Sequence, residues 1–257
     1  MFAKIDPSAD ILPLIWGQMT ICNGILPPDS LPIPTMALPA LIFDLDGTLV
    51  ETAPDILNAL NAVLVEEGRR PADIGDLRHL VGHGARLMMG EAFARTGARP
   101  SPERTEALID RFIVHYRDHL ADESLPYPGV HETLAAFKRD GARMGVLTNK
   151  PEELAVPLLK ALDLTQYFEA IHGAGRYSYV KPDPRVLHHV LDELGADKAH
   201  AVMIGDSATD VATAHAAGIP VIVLTYGYTP IPPRELGADA VIDAFSALPA
   251  ALSKLVP

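Results

Sequence analysis

The chain has 257 residues, 48% of them hydrophobic, and a formal net charge of −12. That apolar share suffices for a substantial core and excludes a disordered chain, while the acidic balance argues against nucleic-acid and anionic-membrane partners, which are held by excess Lys and Arg. With Cys22 as the single cysteine, no disulfide framework or cysteine-based zinc site can form, and a reducing cytoplasm fits.

Residues 1–35 hold six prolines (Pro7, Pro13, Pro27, Pro28, Pro32 and Pro34) and follow neither helical nor strand periodicity. They are expected to form a poorly ordered extension, with Met36 as the natural start. The stretch "ILPLIWGQMTICNGIL" is interrupted by Pro13, Gly17, Gln18 and Asn23 and falls short of the ~20 apolar residues of a membrane span. Asp6 and Asp10 stand where a secretory signal needs positive charge.

The first strand is "ALIFDL" (40–45), a continuous apolar run of the kind buried on both faces of a sheet. It ends in Asp44 and Asp46, followed at once by Gly-Thr; alone, such a pair is ordinary turn chemistry. Residues 52–128 show helical patterns and no convincing strand. In "TAPDILNALNAVLVEEG", Thr52 and Asp55 have capping-box spacing, Pro54 sits in the first turn, and Ile56, Leu60, Val63 and Leu64 form one stripe. Two further helices are predicted at about 83–96 and 102–120. The whole segment reads as a helical cap over the sheet edge, hinged around Glu51 and at Tyr127-Pro128-Gly129. His115 and His119 share a helix face but have no third ligand, so they read as cap surface rather than a metal site.

Beyond the cap the pattern alternates. "RMGVLTN" (143–149), "HAVMIGD" (200–206) and "PVIVLTY" (220–226) read as buried strands. Between them lie helices: Val130, Leu134 and Phe137 share one face, "PEELAVPLLKAL" carries Pro157, which should kink or interrupt it, and "ATDVATAHAAG" ends at Gly218, placed for a left-handed cap. The fold class is therefore α/β, a doubly wound parallel sheet core (36–51 and 129–257) with an inserted helical cap (52–128).

In such a sheet ligands bind beyond the carboxyl ends of the strands. Collected there are Asp44 and Asp46, Thr148 and Asn149, Lys181 before a helix, and Asp206 with Asp210. Several carboxylates suit a hard divalent cation, and a hydroxyl, an amide and an ammonium suit phosphoryl oxygens. The motifs "DLDGTLVET", "LTNK", "KPDP" and "GDSATD", in that order with a helical insertion after the first, resemble the haloacid dehalogenase superfamily of phosphatases across residues 40–245. "VGHGARLM" in the cap and "ATDVATAHAAGIPVIVLTYGYTP" with "LGADAVID" are similar to its phosphoglycolate phosphatases.

The resemblance implies a nucleophile, Asp44, ionised without a partner base at an ordinary pKa of about 3.9, and an acid/base, Asp46. It implies Mg²⁺ held by Asp44, the backbone carbonyl of Asp46 and Asp206, with Asp210 orienting a ligand or Lys181 and Ser207 assisting. Thr148 and Lys181 would bind the transferring phosphoryl group, with Thr48 and Asn149 nearby. His83 and Arg86 would face the substrate from the cap, Arg86 pairing with a carboxylate. The implied partner is a small phosphorylated metabolite, 2-phosphoglycolate foremost. Oligomeric state stays open.

Two departures stand out: Glu51-Thr52 where the family often has Asp-Ser, and "GAGRYSYVKP" where phosphoglycolate phosphatases commonly carry an acidic residue. The alternatives are a phosphatase or mutase of another sugar phosphate and a non-catalytic phospholigand-binding protein. No early cap histidine of the mutase kind lies between Asp55 and Val63, and residues 51–127 contain no Lys for a phosphonate-cleaving Schiff base. No GxxxxGK[ST], GxSxG or HExxH motif occurs.

Overall fold

The computed structural model describes residues 38–73, 75, 78–82 and 84–255; the expected N-terminal extension and His83 lie outside the described residues. Strand β1 (Ala40–Phe43) sits inside a six-stranded sheet, paired in parallel with β4 (Met144–Pro151) on one side and β6 (Ala201–Gly205) on the other. Strands β5 (Ala170–Ala174), β7 (Val221–Leu224) and β8 (Ala240–Ile242) complete the parallel order β5-β4-β1-β6-β7-β8.

Every residue of β1, β6 and β7 is buried, which is why these runs are apolar without alternation. Successive residues still face opposite layers. Leu41 and Phe43 pack with Leu134 and Phe137 of α4 (Val130–Arg139), Leu158 of α5 (Glu152–Ala161) and Leu252 of α8 (Leu248–Leu255). Ala40 and Ile42 pack with Leu187 and Val190 of α6 (Pro184–Leu194) and Val211 of α7 (Ala208–Ala217). Gly218 caps α7 at φ +73°, as its position predicted.

Several expectations need correction. The edge strands β5 and β8 went unread because "AIHGA" is rich in weak strand formers and "AVI" is only three residues long. Pro157 does not interrupt its helix: α5 runs through it, and the missing N–H is offset by the buried face of Leu154, Ala155, Leu158 and Leu159.

In the cap, α1 (Ala53–Glu66), α2 (Ala85–Thr96) and α3 (Pro102–Asp118) pack around a second apolar cluster that includes Ile56, Leu60, Met89, Phe93, Leu108 and Phe112. Leu154 and Tyr228, from the sheet region, join this cluster. The two chain crossings form a strand pair the sequence did not predict: β2 (Val50–Glu51) lies antiparallel to β3 (Leu125–Pro126). Thr52 and Asp55 do not make a capping box; Thr52 makes no side-chain cap bond. The buried Asp55 carboxylate instead accepts from the backbone of Glu123 and Ser124 and from Ser124 Oγ at 2.7 Å, clamping the entrance of the cap to its exit. His115 and His119 are each paired with a carboxylate, Glu66 and Asp122, both at 2.7 Å. Among the described residues no helix is long and apolar enough to cross a membrane.

Candidate active site

The three central strands are neighbours, so their carboxyl ends fall together. Asp44 follows β1 directly, its N–H donating to Ile204 O of β6 at 2.9 Å. Asp206 follows β6, and Asp210 stands in the first turn of α7, where it and Ser207 form a reciprocal capping box. Ligand oxygens of Asp44, Asp206 and Asp210 all lie within 4.8 Å of one another, and all three residues are buried. The turn allows this approach because residue 47 is glycine: its φ is +81°, and a Cβ there would lie 2.6 Å from Asp206 Oδ2.

Three carboxylates cannot share a dry site as anions without a counter-charge. Burial pushes the Asp44 carboxyl up to about 7 in spite of Lys181, and burial with the fields of Asp210 and Asp44 pushes Asp206 well above its ordinary value. Ionisation of Asp44 at neutral pH without a partner base, as expected from its ordinary pKa, therefore draws on nearby positive charge. Lys181 supplies one charge. Its Nζ is 2.7 Å from Asp210 Oδ1 and 2.9 Å from Asp44 Oδ1; burial opposes its ammonium, but these two carboxylates outweigh that and hold its pKa above the ordinary lysine value.

Still, Asp44 Oδ1 is buried without a properly directed hydrogen bond. Asp210, by contrast, is committed on both oxygens, to Lys181 and to Ser207 Oγ and the backbone of Asp206 and Ser207. An incompletely satisfied carboxylate, beside a second and a third, is a donor set that fits a hard divalent ion.

Asp46, two residues after Asp44, is turned toward another buried cation. Lys150 Nζ donates to Asp46 Oδ1 at 3.0 Å and to Tyr116 Oη of α3 at 2.5 Å. Burial disfavours the Lys150 ammonium, yet Asp46 and Tyr116 together keep its pKa raised. Burial also lifts the Tyr116 phenol to about 12, so it is neutral and able to donate. Two adjoining cavities result. One, about 20 Å³, is lined by Asp44, Asp46, Thr148, Lys181 and Asp206 among others. The other, about 150 Å³, lies under the cap between Asp46, Lys150, Tyr116 and apolar side chains such as Leu80, Met88 and Phe112.

A family model described as haloacid dehalogenase-like hydrolase matches residues 41–224. The chain belongs to the haloacid dehalogenase-like hydrolases. Within this family of enzymes it is 46% identical over 219 residues to the phosphoglycolate phosphatase of Agrobacterium fabrum, covering 85% of this chain and 94% of that protein. A crystal structure of a predicted phosphoglycolate phosphatase from Haemophilus somnus superposes with a TM-score of 0.79 at 28% identity, covering 84% of this chain and 99% of that one. The CbbY protein of Rhodobacter sphaeroides, crystallised in complex with phosphate, superposes at 0.72 with 27% identity and the same coverage.

Within this haloacid dehalogenase-like frame, the residues singled out from sequence divide into three groups. Asp44, Asp46, Thr148, Lys181 and Asp206 line one cavity. Thr48 and Asn149 are hydrogen-bonded to other site residues, and Asn149 also lines this cavity. The fully buried Thr48 hydroxyl donates to Asp206 Oδ1 at 3.3 Å, while the Asn149 amide exchanges two bonds with the Lys181 backbone at 3.0 and 3.1 Å. Both hold site residues in place. Arg86 is not brought to the site: its side chain is 66% exposed and its guanidinium is paired with Glu106 on the cap surface. Its place in α2 turns it outward, while Ala85 and Met88 face the cavity.

Reading from sequence also missed Lys150, Tyr116 and Tyr228. For Lys150 a signal was present, since Thr148 and Lys150 stand two apart on β4 and so share a face. Tyr116 had none, because an aromatic on an amphipathic helix reads as core. Tyr228 joins three stations: its N–H donates to Asp206 Oδ2 at 2.7 Å, its hydroxyl accepts from Thr52 N at 2.7 Å and donates to Glu51 Oε1 at 2.7 Å. Glu51, the departure in the hinge, also accepts from Tyr127 Oη and Arg78.

Proposed function

We propose that this enzyme is a Mg²⁺-dependent phosphatase of small phosphomonoesters, with 2-phosphoglycolate as its substrate. The observation that carries the reading is the meeting of Asp44, Asp206 and Lys181 at one sheet edge with Asp46 immediately beside them. The names of the similar phosphatases support the choice of substrate.

The Asp44 carboxylate attacks phosphorus, forming an acyl phosphate as the bond to the leaving oxygen breaks and Asp46 donates a proton to that oxygen. Water then attacks the same phosphorus, Asp46 takes its proton, and the bond to Asp44 breaks, releasing phosphate. Lys181 and the Thr148 hydroxyl bind the phosphoryl oxygens. Asp44, Asp206 and the Asp46 carbonyl would hold Mg²⁺, which supplies positive charge where two anions must meet. Asp210 and Asn149 fix Lys181, and Thr48 and the Tyr228 backbone fix Asp206. A binding protein needs neither a nucleophile nor an acid, so the presence of both Asp44 and Asp46 favours catalysis.

Phosphate release from a panel of phosphometabolites, with Mg²⁺ and with EDTA, tests this. The expected result is metal-dependent release, fastest with 2-phosphoglycolate. A sugar phosphate preferred by tenfold or more would overturn the substrate, and full activity in EDTA would overturn the metal.

A further inference from the structure

The expected carboxylate partner, Arg86, faces solvent, so a carboxylated substrate must be read by something else. Lys150 is the only cationic side chain among the described residues that line the cavity of about 150 Å³ under the cap. Its side chain is 2% exposed, and its ammonium has two partners, Asp46 and Tyr116 Oη, one on each side of the interface between sheet and cap. The cavity is otherwise largely apolar and small beside the 300–1,000 Å³ typical of ligand pockets, so it admits a leaving group of only a few atoms.

We propose that Lys150, with the Tyr116 hydroxyl, binds the carboxylate of the leaving group, so that the enzyme selects phosphoesters of short 2-hydroxy acids. The inference rests on the phosphatase reading above. If Asp46 delivers its proton to the leaving oxygen, that oxygen lies within hydrogen-bond reach of Asp46. In a phosphorylated 2-hydroxy acid a single carbon separates this oxygen from the carboxyl carbon. A cation 3.0 Å from Asp46 Oδ1 is then where the carboxylate arrives.

In the empty enzyme Asp46 itself keeps Lys150 paired, which avoids an uncompensated buried charge. When substrate enters, its carboxylate takes over part of this pairing and Asp46 is turned toward the leaving oxygen. Because Lys150 belongs to β4 and Tyr116 to α3, the same carboxylate bridges sheet and cap. Substrate lacking it cannot make that bridge, and its leaving group leaves Lys150 and Tyr116 without their anion.

The test compares 2-phosphoglycolate with ethyl phosphate, which has the same two carbons and no carboxylate, using the full-length enzyme with Mg²⁺. The wild type should favour 2-phosphoglycolate by at least ~10²-fold in kcat/KM. Lys150→Met should cost that substrate at least ~10²-fold, chiefly in KM, and ethyl phosphate less than about tenfold. Tyr116→Phe should raise KM for 2-phosphoglycolate about three- to tenfold and lower its preference over ethyl phosphate by a similar factor. The Tyr116 variant carries the decision should the lysine variant not fold. Equal losses on both substrates, confined to kcat, would mean that Lys150 only positions Asp46 and would overturn the proposal. So would a wild type that does not distinguish the two esters. A wild type that hydrolyses neither with Mg²⁺ present defeats the phosphatase reading itself.

Discussion

The two cavities around Asp46 are built on opposite principles. The smaller is made by backbone: adjacent parallel strands end together, a glycine turn after Asp46 leaves room for Asp206, and a capped helix fixes Asp210. The larger is made by side chains reaching across an interface, Lys150 from the sheet and Tyr116 from a cap helix. On the proposed reading, topology secures the chemical step, whereas selection among substrates depends on how the cap is seated. Changes in the first should abolish reaction on every ester; changes in the second should re-rank them.

Asp44→Asn removes the proposed nucleophile, and kcat should fall by at least ~10⁴-fold on any phosphomonoester; residual activity above that level, measured by phosphate release, would separate the step from Asp44. Lys181→Met should cost ~10²–10³-fold, again without regard to the leaving group, because it removes a charge from the phosphoryl site. A loss that varies between substrates would blur the division just drawn.

The seating of the cap can be probed through stability. Asp55→Ala strands the buried N–H and hydroxyl of Ser124 and the backbone N–H of Glu123, so about 2–3 kcal/mol should be lost, read calorimetrically as a Tm lower by roughly 5–10 °C. A shift under a degree would mean that the two crossings do not depend on this clamp.

A pH series separates the carboxylate cluster from the rest. With metal chelated, Asp44 binds its proton more tightly in the folded state, at about 7, than in the unfolded state, so its contribution to stability falls as pH rises from about 4 to 7. Asn at position 44 has no such dependence. The Tm of Asp44→Asn should therefore match the wild type near pH 4 and exceed it by a few degrees above pH 7; a gap independent of pH would contradict the buried-anion account. Smallest of all, Arg86→Ala should leave kcat and KM for 2-phosphoglycolate within about twofold, since its partner is Glu106 on the surface. A tenfold rise in KM would return Arg86 to the site.

The same contrast decides what could be read from residues alone. Strand ends announce themselves, because an apolar run followed by Asp, Thr or Gly is legible at short range, and Asp44, Asp46, Thr148 and Asp206 were found that way, while Lys181 was found in the "KPDP" segment before a helix. What their neighbours do was not legible. Thr48 and Asn149 have the chemistry to touch phosphate, and no local pattern shows that their side chains also bond Asp206 and the Lys181 backbone. Asp55 looked like a cap residue because its clamp partners lie 68 and 69 positions away in sequence. Tyr116 and Tyr228 act at contacts between distant segments, and no local pattern marks such contacts.

The central claim is that Asp44 carries the phosphoryl group. The most direct test is acid-quenched peptide mass spectrometry on Asp46→Asn mixed with 2-phosphoglycolate and Mg²⁺, where loss of the base slows hydrolysis of the acyl phosphate. The account predicts one added phosphoryl group on Asp44, absent when Mg²⁺ is chelated. A phosphoryl group on another residue, or one found equally in an enzyme that also carries Asp44→Asn, would contradict it.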